Sequence, residues 1–203
     1  SMAGAVGTTG SNTNPAPHDF YHTHPTSSCR LNIGDKTLHV SSELLGMHSH
    51  FFRSLFFRAA PKKEGDDGGD ATPHLIRTDI VDVRLDNVKI EEVIELLNMI
   101  YPSDSPITDS NVTYIIELAD KYLFNVVLHE CEQFLKNESK IAKEDRLILA
   151  DKYHLNELVD ALVKDLSPAE INKLINGNTK ISDRTNRAMI KHLTTYAAQT
   201  SNE

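Results

Sequence analysis

Between Cys29 and Phe57 the apolar residues change their spacing, and that change constrains the fold more than any other feature of the chain. Cys29, Leu31 and Ile33 alternate with Arg30 and Asn32; past Gly34-Asp35, Leu38 and Val40 alternate with Thr37 and His39. A period of two puts one face of a strand inward, and a two-residue turn containing glycine joins such strands into a hairpin. Leu44, Leu45, Met47, Phe51, Phe52, Leu55, Phe56 and Phe57 then crowd what reads as helix. One helical face buries only three or four apolar residues per two turns, and a two-stranded hairpin is a small cover. The surplus needs another cover, and a second copy of the chain is one candidate. This is the pattern of an interaction module.

The 203 residues suit one domain with appendages, since a chain of this length buries about 70% of its unfolded surface without staples. Its two cysteines, Cys29 and Cys131, form no CxxC pair and read as small buried apolar residues. A net charge of -8 and a pI near 5.7 count against sequence-independent nucleic-acid binding and anionic membranes, which depend on excess Lys and Arg. There is neither a long apolar run nor a charged-then-apolar leader, so the expected location is cytoplasm or nucleus. Without a secretory leader, the sequons Asn111-Val112-Thr113 and Asn137-Glu138-Ser139 read as chance.

Residues 1 to 27 hold scarcely any aliphatic side chain and read as a disordered or loosely docked arm. Ser1-Met2 has the look of a scar from tag removal, so a longer parent protein is expected. Ala59 to Pro73 reads as an exposed loop, rich in glycine and charge. A third strand is expected between Leu75 and Leu85. Ile90, Val93, Ile94, Leu97 and Ile100 then mark a helix stopped by Pro102. Val112, Ile115, Ile116, Ala119, Tyr122 and Leu123 define the inward face of the next helix, and Val127, Cys131, Phe134 and Leu135 that of another. A further pair runs from Leu147 to Val163. Ser167-Pro168-Ala169-Glu170 is a helix start with a capping box, and Ser182 caps a last helix that carries Met189, Leu193 and Tyr196 inward. The helix pairs recur, but no internal repeat of fixed period is read.

Candidate chemistry is sparse. His18, His22 and His24 near Cys29 match no closed zinc spacing, and Asp66, Asp67 and Asp70 lack the alternation and terminal Glu of a calcium loop. His48 and His50 flank Ser49, but neighbours on a helix do not face each other, so no nucleophile and base pair is read. No phosphate-binding, serine-elbow or metallohydrolase motif occurs. No catalytic residue, metal or cofactor is assigned, and the chain is not expected to be an enzyme.

Leu31-x-Ile33, Leu38-x-Val40, Leu45, Ser49-x-Phe51-Phe52-Arg53 and Leu55-Phe56, in this order, resemble the start of the BTB/POZ domain. The helix ending in Ile100-Tyr101, the stretch Ile115 to Leu123 and the helix with Cys131 and Phe134-Leu135 continue the likeness, so that it spans about residues 28 to 137. Ile141 to Leu166, with Ala150-Asp151-Lys152-Tyr153, is similar to the 3-box or BACK-like helices that follow the domain in cullin-3 adaptors. The overall style resembles MATH-BTB proteins, although no MATH domain fits within residues 1 to 27. The resemblance implies an α+β fold, a short three-stranded sheet capped by helical hairpins, with an all-helical extension over residues 138 to 199.

It also implies a homodimer through the helices around Ser42 to Phe56, with Leu44, Met47 and Phe51 at the interface. In the adaptors, cullin-3 docks on a surface that maps here to His50, Arg53, Tyr101, Pro102 and His129. Two departures stand out. Ser28 and Ser41 replace an Asp and a His frequent in the family, and Lys62 stands where an adaptor often has the apolar residue of an apolar-x-Glu motif, here ending at Glu64. The expected function is a dimeric scaffold that serves as substrate adaptor of a cullin-3 ubiquitin ligase, its substrate protein unassigned. The alternative is an oligomerisation or recruitment module, as in transcriptional or cytoskeletal scaffolds, that does not bind cullin.

Overall fold

The computed structural model describes residues 17–59, 73–75, 80–103 and 105–200. Strands β1 (Cys29–Ile33) and β2 (Lys36–Val40) pair antiparallel from Cys29 opposite Val40 to Ile33 opposite Lys36. Gly34 has φ of 61°, a left-handed conformation that glycine adopts without cost and that a tight hairpin requires. The alternation holds: Cys29, Leu31, Ile33, Leu38 and Val40 are buried.

The expected third strand is β5 (Val81–Arg84), which lies parallel to β1 and gives the sheet order β2-β1-β5. Ile80, read as part of that strand, precedes it and is exposed, and Ile76 lies outside the described residues. A separate ribbon forms from β3 (Phe57–Ala59) and β4 (Pro73–Leu75). Phe57 therefore opens a strand instead of ending a helix, and Ala59 and Pro73 are paired at the two ends of the expected loop. Residues 60–72, where the charged run and Glu64 fall, lie outside the described residues.

The single apolar helix expected after β2 is two helices, α1 (Ser42–His48) and α2 (His50–Phe56). Ser49 separates them in an extended conformation, φ -127° and ψ 121°. Helix α3 (Ile90–Ile100) buries Val93, Leu97 and Ile100 and ends at Tyr101, because the residue before Pro102 is driven out of helical geometry. The remaining helices are α4 (Val112–Lys121), α5 (Asn125–Asn137), α6 (Lys143–Lys152), α7 (Asn156–Asp165), α8 (Pro168–Asn176) and α9 (Asp183–Thr200).

The recurrence of helix pairs read in the sequence extends to their turns, because α4–α5 and α6–α7 are joined through one local sequence and one backbone geometry. Leu118-Ala119-Asp120-Lys121-Tyr122 precedes the first turn and Leu149-Ala150-Asp151-Lys152-Tyr153 the second. Leu123 and His154 follow, with φ of 55° and 56°. The next amide reaches back in the same way, Phe124 N–H to the Ala119 carbonyl at 2.8 Å and Leu155 N–H to the Ala150 carbonyl at 2.9 Å, a pattern that satisfies carbonyls at a helix end.

At α8 the capping box between Ser167 and Glu170 is present in both directions. The Thr185 N–H donates to Ser182 Oγ at 3.4 Å, so Ser182 does cap α9. Met189 is fully buried and Leu193 partly so, but Tyr196 is 47% exposed and does not point inward. Of the stretch read as an arm, residues 1–16 lie outside the described residues, whereas Phe20 is only 1% exposed. Its carbonyl accepts the His39 N–H from the outer edge of β2 at 2.7 Å. Among the described residues no helix is long and apolar enough to cross a membrane.

Candidate functional site

Ser49 organises the surface built by α1 and α2. Its N–H donates to the Leu45 carbonyl and closes α1, its Oγ accepts the Phe52 N–H and starts α2, and its hydroxyl donates to the Tyr122 carbonyl at 2.6 Å. At 1% exposure and with its proton committed, Ser49 has no nucleophile's freedom. The break turns Phe52 and Phe56 into the core at 2% exposure each. It leaves Met47 at 77%, Leu55 at 46% and Phe51 at 37% exposed. Leu44 is half-buried against the core.

Beside Met47 is a hollow of about 300 Å³ bounded by Glu43, Gly46, Arg53 and Phe57. A Cβ on Gly46 would stand 2.7 Å from the Phe57 ring, so glycine there permits the ring's close approach. Ser28 and Ser41 each donate a hydroxyl hydrogen bond to Glu43 at 3.0 Å. Burial pulls the Glu43 carboxyl upward, but its own backbone N–H and the hydroxyls of Ser28, Ser41 and Ser42 outweigh that and hold it below the usual range. The two serines that depart from the family's habit thus steady one carboxylate at the rim of this face.

The residues expected to meet cullin-3 fall into separate places. Arg53 shares the hollow with Met47. His50 is exposed at the start of α2, and its N–H donates to the Leu123 carbonyl at 3.2 Å. His129 lines a second hollow of about 400 Å³ with Ser103, Ile107, Phe134 and Glu138, next to the exposed Pro102. Tyr101 is buried at 8% exposure. Its hydroxyl accepts the Ser41 N–H at 2.8 Å, and its ring packs on His18 and Phe20 at 4.6 and 4.9 Å. The structure brings His129 and the segment after Tyr101 together, whereas the Tyr101 side chain itself packs on His18, Phe20 and the Ser41 amide.

Sequence reasoning passed over two exposed apolar residues here, Leu123 at 45% and Val126 at 58%. Leu123 fits the inward periodicity of α4, and only its left-handed backbone turns it outward. Val126 lies three residues before His129 on α5, so the two share a helical face.

The other chemical suspects are occupied in structure. His22 Nδ1 sits 2.6 Å from the Asp19 carboxylate and His24 Nε2 lies 3.0 Å from the Asp19 carbonyl. Burial, then the neighbouring His24, lowers the His18 pKa, with Asp19 opposing. Burial pushes the thiols of Cys29 and Cys131 up to about 12, aided by Asp82 and Glu130 respectively; neither is a thiolate nucleophile at neutral pH.

The family model for the BTB/POZ domain matches residues 19–139 of the chain. The chain is 33% identical over 164 residues to BTB and MATH domain-containing protein 38 of Caenorhabditis elegans, covering 79% of this chain and 38% of that protein. With BTB and MATH domain-containing protein 36 of the same organism it shares 29% over 140 residues, 69% of this chain and 39% of that one. Kelch-like protein 41a of Danio rerio is 27% identical over 110 residues, 54% of this chain and 16% of its own length. The chain thus spans about two fifths of the length of the two worm relatives.

Proposed function

Because the chain belongs to the BTB/POZ domain family, a family of protein-interaction modules, we propose that it is a dimeric scaffold acting as substrate adaptor of a cullin-3 RING ubiquitin ligase. The observation that carries the dimer is the outward apolar set Met47, Phe51 and Leu55 on two short helices whose inner residues already fill the core. Large apolar side chains left exposed on neighbouring helices mark a partner site. In the dimer Leu44, Met47 and Phe51 meet their copies about a two-fold axis, an arrangement in which one patch is its own complement. Two docking sites per assembly then raise avidity with no new contact.

For the cullin arm, the contacts proposed are His50, Arg53, Pro102 and His129 with the exposed Leu123 and Val126, and the buried Tyr101 is not itself a contact. Helices α6 and α7 support this reading, because they form a second hairpin whose α7 packs against α5, as a 3-box following the domain would. The departure at Lys62 favours a second reading, a BTB recruitment module that holds partners other than cullin. Light scattering with calorimetric titration of the cullin-3 N-terminal domain separates them. The adaptor gives a mass near twice 22.7 kDa and a Kd of about 50 µM or tighter, on the order of 6 kcal/mol of binding free energy. A monomeric mass removes the dimer; a dimer without heat of binding leaves the recruitment module.

A further inference from the structure

A groove of about 560 Å³ lies between α7 and α9, remote in sequence from the surfaces above. Its α9 wall consists of Ala188, Lys191, His192, Thr195, Tyr196 and Gln199. Steps of three and four residues make these one unbroken helical face, about 16 Å long at 1.5 Å per residue. From α7 come only Asp160, Val163 and Lys164, a single turn. The groove is therefore long on one side, short on the other, and floored by the buried Val163 and half-buried Ala188.

Its charge runs against that of the chain. Arg184 reaches both oxygens of the Asp160 carboxylate at 3.2 Å, which leaves that acid neutralised. Lys164 and Lys191 are exposed, and neither makes an ion pair among the described residues. Two uncompensated ammonium groups thus flank an apolar floor on a protein of net charge -8. A trough walled so unequally encloses too little of a small molecule, most of whose surface is buried in a typical site. An extended, one-sided trough with polar walls and a narrow apolar floor instead matches the way an amphipathic helix is taken up by a groove, read through residues at i, i+3, i+4 and i+7.

We propose that this groove docks a short acidic amphipathic helix of a partner protein. The helix lays its apolar side on Ala188 and the exposed ring of Tyr196, above the buried Val163, and sets Asp or Glu against Lys164 and Lys191. Naming that partner as the ubiquitination substrate rests on the adaptor reading; the docking itself does not.

The test uses the whole chain and a fluorescein-labelled 14-residue helical peptide with Leu at i, i+3, i+4 and i+7 and Glu between. Anisotropy is expected to show saturable binding, weakened at least tenfold by Lys164→Glu with Lys191→Glu and by added salt. The same charge change made far away, Lys36→Glu with Lys140→Glu, leaves binding within about twofold, and a peptide with Lys in place of Glu binds at least tenfold more weakly. Equal loss in both double variants overturns the proposal, as does failure to saturate below about 1 mM. Light scattering of K164E/K191E showing a changed mass also overturns it, because the occupant is then a second copy. Cullin titration is scored separately. Peptide binding without cullin binding keeps the groove and removes only the substrate assignment.

Discussion

Leu118 to Asn125 and Leu149 to Asn156 are almost the same eight residues, 31 positions apart, yet the two turns hold different things. The first turn grips α2 through its backbone: the Tyr122 carbonyl accepts the Ser49 hydroxyl and the Leu123 carbonyl accepts the His50 N–H. In the second turn the grip comes from a side chain. Asp151 accepts the Ser182 N–H at 2.8 Å, the Ser182 hydroxyl at 2.5 Å and the Thr185 hydroxyl at 2.6 Å, and so holds the start of α9. Its counterpart Asp120 is exposed and receives no such bonds among the described residues. One local sequence thus fixes the same turn twice, and what the turn supports is decided by residues far away.

The largest break in that comparison is Asp151→Ala. It strips three hydrogen bonds and orphans the hydroxyl of Thr185, which is fully buried. A loss of about 2 to 3 kcal/mol is expected in urea unfolding, the range for removing a charged acceptor from partly buried donors. Asp120→Ala is expected to stay within about 0.5 kcal/mol, as a surface change does. Equal costs would show that Asp151 is no anchor.

The pH dependence sharpens the same point. Burial raises the Asp151 pKa, but hydrogen bonds from Ser182 and Thr185 outweigh it and leave the carboxyl below its ordinary value. Its stabilising share is therefore complete above the unfolded pKa of about 4 and lost as pH falls through the folded value. The stability gap between the parent chain and Asp151→Asn is expected to shrink from pH 6 to pH 3. A gap independent of pH would refute the charged anchor.

Two smaller effects probe how the hairpins are joined. Neither α5 nor α7 has a capping side chain at its own N-cap, Phe124 or Leu155. Helix α7 borrows Glu132 from α5, which accepts the Leu158 N–H at 3.0 Å in a buried position. Glu132→Ala is expected to cost about 1 to 2 kcal/mol, in line with a lost helix cap. It should speed hydrogen exchange in α7 before α4; uniform exchange through both hairpins would contradict that. Ser49→Ala, which removes the α2 cap and the link to Tyr122, is expected to cost about as much, again near 1 to 2 kcal/mol.

How much of this could be read from the chain follows from how local each feature is. The Gly34 turn, the alternation in β1 and β2, the stop before Pro102 and the Ser167 capping box are short-range effects, and all are legible. The break at Ser49 is not. It depends on a carbonyl 73 residues away, and the apolar pattern runs straight through it. Phe20 looks like a stray aromatic in polar sequence, and only Tyr101 and the β2 edge give it a place. Leu123 and Tyr196 fit inward periodicities, yet one is turned out by its backbone and the other sits where α9 meets the α7 groove. Met47 and Phe51 stand out in sequence as surplus on an already filled face, and they are exposed.

The smallest expected effect falls on the residue by which the two turns differ most. Leu123 and His154 share a left-handed backbone that disfavours branched or bulky side chains by about 1 kcal/mol and that Asn tolerates better. Leu123 is 45% exposed, so replacing it removes little buried apolar area. In Leu123→Asn the relief of backbone strain and the lost packing oppose each other, and the net change in unfolding free energy is expected within about 0.5 kcal/mol. Its apolar surface is another matter if Leu123 belongs to the cullin face, because a docking contact loses affinity with no compensating strain term. The expected outcome is an unfolding midpoint close to the parent's and a cullin-3 titration weakened about fivefold or more. His154→Asn, at the same backbone position in the other turn, should change neither. A Leu123→Asn chain that binds cullin-3 like the parent would return that turn to a purely structural role, as a brace for α2.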